Sequence, residues 1–328
     1  MNFYGASVLL VIFGGALAVF DLVLLALTPR LIERLSRLSA GKRADAILFA
    51  RSFPLGLAAL LAVFVFLPAW LIQEPADTGE TVSYALALGS ALSLLPIFMG
   101  VRRGVRIFLK TRERLLCWRG RGRNTASVHA PYEVLEVKGA ELALCVGGYL
   151  KPTIYASTEV MNTLEPGEFE AALAHEVSHA ATHDPLRLLW MGACPDFLQF
   201  LGLDERWRHA FSTACEFAAD EGAIRGDREV ALDLASALLK VARLQTLRSL
   251  RADTLADVAV SSAFSSRADL EARVRALAEP AEGEAASPAS LRPWMLAAVS
   301  VGLLGLGVIA SEPVHAMTEI VGAFLAFR

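Results

Sequence analysis

The chain is poor in cysteine, with four in 328 residues, and no two of them form a Cys-x-x-Cys pair. Cys117, Cys145, Cys194 and Cys215 are too scattered for a thiolate metal site, and they read as reduced thiols with a structural role. Net charge is small at −3, which excludes a partner such as nucleic acid held by bulk charge. No internal repeat is visible. The stretch between Ile72 and Val82 has Glu74, Asp77 and Glu80 but no Lys or Arg. The first apolar block has no basic segment ahead of it and is too long for a signal-peptide core. Ala16-Leu17-Ala18 is a weak cleavage-like match, and the block is expected to be a retained helix.

Apolar residues are abundant. They make up 55% of the chain, against about 45–50% in a soluble globular protein, and mean hydropathy is +0.47. The excess collects in four blocks near the roughly 20 residues needed to span a bilayer. They run about Ala6 to Leu27, Phe53 to Ile72, Val82 to Val101 and Pro293 to Ala310, the last being the shortest. Six basic residues lie between Arg30 and Arg51, and nine between Arg102 and Arg123. Basic loops stay cytoplasmic. The expected topology is a multi-pass cell-membrane protein with its N-terminus outside and residues 102–291 in the cytoplasm. Arg102 to Trp118 mixes basic and apolar residues. It suits either the inner membrane surface, drawn by anionic lipid, or the inner end of the third span. Asp21 lies inside the first block, where a charge is costly. It reads either as a functional group or as one that snorkels inward or hydrogen-bonds to the other spans.

From Tyr132 to Ser157 the pattern becomes short, β-prone and punctuated by Gly and Pro, which predicts a small sheet. From Pro166 onward it is helical, with a linker from about Glu279 to Ser290. The resulting fold class is an α+β membrane protein. Four transmembrane helices carry a mainly helical cytoplasmic zincin-like metallopeptidase domain with a small β-sheet. The domains are 1–101 (three spans), 102–290 (the zinc domain) and 291–328 (a fourth span and short outer tail).

The chemistry concentrates in PGEFEAALAHEVSHAATHDP. Pro166 suits a first helical turn and Pro185 ends the helix. Four residues apart, His175 and His179 share one helical face about 6 Å apart along the axis, placed to grip one ion. Glu176 is one step round, able to take a proton from the attacking water without binding the metal. A catalytic zinc takes three protein ligands and keeps a position open, so a third is expected from another helix. In ACEFAADEGA, Glu216 is placed to be that ligand. Asp220, one turn on, is placed to accept the free N–H of a ligating histidine. One Zn2+ per chain is the expected cofactor. His183 reads as a rim residue, since two further helical turns carry it too far from His175, and Asp184 as a cap or core contact. The strand carrying Thr153, Ile154 and Tyr155 is expected to offer an edge to an extended substrate. Tyr155, His183 and His209 are the candidate oxyanion donors.

HEVSH followed by Asp184, then the Glu-x-x-x-Asp helix of CEFAADEGA, resembles the gluzincin metallopeptidases. Three spans before the motif and one after resemble the BlaR/MecR-type membrane metallopeptidases. GGYLKPTIY (147–155) is similar to that group's Gly…Pro strand segment ahead of the motif helix, and GDREVALDLASALLKVARL (226–244) and LEARVRAL (270–277) are similar to its later helices. The resemblance implies a membrane metalloendopeptidase in signal transduction. Its substrate would be a cytoplasmic protein, such as a winged-helix repressor, or the chain itself, with the lipid bilayer as its other partner and no direct nucleic-acid binding. Ser178 departs from the usual Ala or Gly, and only Ser311 to Arg328 follow the fourth block, so β-lactam sensing through an outer domain is not expected. HtpX/CAAX-type membrane peptidases share the zinc motifs, but usually place spans soon after them. A non-catalytic zinc-binding membrane scaffold is the other reading.

Overall fold

The computed structural model describes residues 3–73, 82–125, 130–138, 144–197, 204–249 and 267–279, with isolated positions at 311, 312, 314, 316 and 320. The expected linker (beyond Glu279) and the fourth span lie outside the described residues.

Three long helices form the membrane part. Helix α1 is Phe3–Leu35. Helix α2, Ala40–Leu61, runs through a π-helical stretch, Ala62–Phe66, into α3, Leu67–Gln73. Helix α4 is Tyr84–Arg121, N-capped by Ser83, whose Oγ accepts from the Leu86 amide at 3.1 Å. All three are long and apolar enough to cross a membrane. They pack through small residues. A Cβ on Gly5 would lie 2.2 Å from the Trp70 ring, and one on Gly14 would lie 2.2 Å from Ser93 Oγ. Each helix outruns its apolar block. At 38 residues α4 is about 57 Å long, nearly twice a bilayer's hydrocarbon thickness. The basic stretch from Arg102 therefore continues the third span as one helix.

That continuation leads straight into the sheet: β1 (Gly122–Asn124), β2 (Glu133–Val137), β3 (Leu144–Gly147) and β4 (Thr153–Ser157). The spatial order is β1-β2-β4-β3, with β2 and β4 parallel and both outer pairings antiparallel. Alternating residues face opposite layers. Leu135, Val137 and Tyr155 pack on Leu115 and Trp118 of α4, while Val134 and Ile154 pack on Leu173 and Phe169. Sandwiched in this way, β4 is buried at all five positions.

The remaining helices are α5 (Thr158–Thr163), α6 (Pro166–Ala181), α7 (Asp184–Ala193), α8 (Asp204–Ile224), α9 (Arg228–Ser249) and α10 (Arg267–Ala278). Ala171, Ala223, Leu234 and Leu277 join α6, α8, α9 and α10 in one core. A second core crosses to the membrane helices, with Leu24 of α1 and Ala44 and Ile47 of α2 against Met191, Trp207, Phe211 and Ala214. Below it lies a buried polar cluster. Arg51 pairs with Asp196, Arg103 Nη2 donates to the Cys194 carbonyl at 3.1 Å, and the Phe197 amide donates to Asp21 Oδ2 at 2.9 Å. Asp21 is therefore buried rather than snorkelling, and its Oδ2 accepts a backbone hydrogen bond from the helical domain. The four cysteines are free thiols.

Candidate metal centre

Helix α6 begins at Pro166, and the Glu165 amide donates to the Glu168 carboxylate at 2.9 Å. Two turns on, the 3.6-residue period brings His175 and His179 together. Their Nε2 atoms are 3.1 Å apart, with the rings edge to face. Helix α8 crosses this face at its closest approach, where a Cβ on Gly222 would lie 2.4 Å from Ser178 Oγ. The lack of a side chain at Gly222 is thus what lets α8 come near Ser178. From α8, Glu216 places Oε2 3.6 Å from His175 Nε2 and Oε1 3.7 Å from His179 Nε2. Ligands about 2.0–2.1 Å from a tetrahedral ion stand roughly 3.3 Å from one another. Each imidazole thus has a Glu216 oxygen near that separation, and His175, His179 and Glu216 form a group able to hold an ion.

The far sides of both imidazoles are also engaged. His175 Nδ1 is 2.9 Å from Asp220 Oδ1, and His179 Nδ1 is 2.7 Å from Asp184 Oδ2. The Asp184 hydrogen bond favours the His179 tautomer that keeps Nδ1–H outward and leaves the Nε2 lone pair for an ion, while Asp220 stands beside His175 Nδ1 as a close negative charge. Asp220 is where the sequence placed it. Asp184 hydrogen-bonds His179 Nδ1, a contact that the cap-or-core expectation did not include. It gets there through a reversal at His183, an exposed residue in the left-handed region at φ 54°, which turns α6 into α7 and brings Asp184 back beneath His179.

Arg273 was not anticipated. From α10 it donates to Asp220 through Nε at 2.8 Å and Nη2 at 2.7 Å, and to Glu216 Oε2 through Nη1 at 2.6 Å. The signal was present. Arg273 stands between Leu270 and Leu277 at helical spacing, and a charge in an apolar stripe needs a buried partner.

Burial pushes the Glu216 pKa up, but the His175 hydrogen bond and the His179 and Arg273 charges outweigh it and hold the group down at about 2. Burial pushes His175 down, but Asp220 and Glu216 outweigh it and bring it to about 10. Asp220 is likewise held low against its burial by Arg273 and His175. Glu176, beside His175 on α6, is near enough to Cys145 and Arg273 for its charge to act on both.

The expected substrate edge is corrected by the sheet order. Thr153, Ile154 and Tyr155 lie on β4, which pairs with β2 on one side and β3 on the other, so its backbone is already used. Tyr155 is a core residue, tilted against Trp118. The outer strand beside α6 is β3. His209 lies on the surface, 3.0 Å from Thr213 Oγ1.

No curated protein matches the chain. Residues 123–281 match peptidase family M48. That span holds His175, Glu176, His179, Asp184, Glu216, Asp220 and Arg273, so the converging imidazoles and carboxylates lie in the region similar to peptidase family M48, which marks the chain as a metallopeptidase that hydrolyses peptide bonds.

Proposed function

We propose that the chain is an integral-membrane zinc metalloendopeptidase, with its N-terminus outside and its peptidase domain in the cytoplasm, that carries out regulatory proteolysis of a cytoplasmic protein. A winged-helix repressor and the chain itself are the substrates implied by the likeness to BlaR/MecR-type peptidases. That likeness rests on span order and motifs, whereas the family matched is M48. The observation that carries the reading is the convergence of two Nε2 atoms and a carboxylate, each imidazole backed by its own aspartate. Two histidines and one carboxylate are the donor set of a catalytic zinc with an open position. The basic runs after Arg30 and Arg102 support the orientation.

His175, His179 and Glu216 would hold the ion. A bound zinc supplies Lewis acidity toward the scissile carbonyl and lowers the pKa of a water. Glu176 takes the attacking water's proton and delivers it to the leaving amine. Asp220 and Asp184 keep the imidazoles aimed. Arg273 occupies Glu216 Oε2, which leaves Oε1 the freer oxygen. Strand β3 pairs with β4 on one side only among the described residues, so an extended substrate would align along its other edge.

The test compares the cleaved proteome of cells carrying the wild-type chain with that of cells carrying Glu176→Ala. Substrates should be cleaved only in the first, and identical cleavage patterns would sink the reading.

A further inference from the structure

Helix α7 is tied along membrane helix α2 at three points. Arg187 Nη2 lies 2.5 Å from Asp45 Oδ1, Trp190 Nε1 donates to Ser52 Oγ at 2.7 Å, and Asp196, just past the helix, pairs with Arg51. At its other end α7 begins with Asp184, the residue against His179. Arg187 joins the two sets of contacts. Its Nη1 donates to Asp184 Oδ1 at 2.9 Å, the oxygen that His179 does not use. The guanidinium also sits 5.2 Å over the Phe211 ring of α8 and is only 16% exposed. Held on three sides, it fixes the rotation of the Asp184 carboxylate, and that carboxylate fixes the His179 ring. A forked guanidinium can serve two carboxylates at once, which a lysine ammonium does with less directional control.

We propose that Arg187 is a positioning residue of the metal centre, oriented by Asp45, so that membrane helix α2 sets the aim of the His179 imidazole. This rests on the zinc reading above. It adds a route by which movement of the membrane helices reaches the metal. Asp45 is half exposed, and an exposed ion pair contributes little to stability by itself. Its contribution is to direction, and it touches neither His179 nor Asp184.

The experiment uses the full chain in lipid nanodiscs and reads zinc affinity by competition with a chromogenic chelator. Arg187→Ala should weaken zinc binding by about 10-fold, the lower end of the cost of losing a ligand's own outer-shell partner because Arg187 acts through Asp184, and Arg187→Lys should recover part of it. Asp45→Asn should weaken it several-fold while leaving the unfolding temperature of the metal-free protein unchanged. Arg275→Ala, which removes an exposed pair with Glu271 elsewhere on the surface, should change nothing. Wild-type zinc affinity in Asp45→Asn overturns the proposal, and that variant decides the matter even where Arg187→Ala fails to fold. Zinc affinity is read without substrate, so a failed peptidase assay does not bear on it. A wild-type chain that binds no zinc would bring down the zinc reading and this proposal together.

Discussion

At the scale of single residues, the proposed roles separate metal holding from proton transfer. Glu216→Ala should strip most of the zinc from purified protein, because it removes one of three ligands and leaves Arg273 facing the two histidines. Glu176→Ala should keep about one zinc per chain and lose activity by about 10²- to 10⁴-fold, the usual contribution of a general base. Metal analysis beside turnover checks both, and equal zinc in Glu216→Ala would overturn the ligand assignment. The metal-free site also predicts a pH dependence. His175 is raised to about 10, so below that pH the ion must displace its proton. Zinc affinity should therefore climb with pH from 7 towards 10, about tenfold per unit for one proton displaced. Chelator competition corrected for the chelator's own protonation would show it, and a flat profile would contradict it.

At the scale of elements, α6 needs its first turn fixed so that its last turns present the histidines. Glu168 does this. It accepts from the Glu165 amide, Ser236 Oγ at 2.5 Å and Lys240 Nζ at 2.7 Å, pinning α6 to α9. Burial raises its pKa, but those three donors more than offset the effect and hold it below the ordinary carboxylate value. With a lowered folded pKa, its stabilisation is complete above the unfolded pKa and is lost as pH falls through the folded one. Glu168→Gln should cost about 2 kcal/mol at neutral pH. The gap in unfolding temperature between the variant and wild type should narrow as pH drops below the carboxylate range. An equal gap at pH 7 and in strong acid would count against this account.

At the scale of the whole molecule, the peptidase domain and the membrane helices are one construction. Helix α4 passes from apolar span to sheet without a break, and α2 packs along α8, the helix that carries Glu216. The basic loops predict which side this assembly occupies. A cysteine at Gly79 should react with an impermeant thiol reagent on intact cells, and one at Arg121 should not. The reverse pattern would move the peptidase to the outer face.

Much of this was legible in the sequence, for a physical reason. The pairing of His175 and His179 depends on helical spacing, and helical period is a local property. The strands β2, β3 and β4 likewise announced themselves by their β-prone residues and bounding glycines. What sequence could not supply was order across the sheet. Strand β4 lies inside, not at the edge, because β3 folds back on its far side, and strand order is decided by packing between α4 and α6. The partners of the ligands were hidden for the same reason. Asp184 reaches His179 only through the turn at His183, and Arg273 reaches Glu216 across 57 residues of chain. Arg187 meets Asp45 across 142. The pairing of His175 with His179 follows from the period of one helix, whereas Glu216 meets them from another. Their aim was decided by contacts between helices far apart in the chain, which only the tertiary structure brings together.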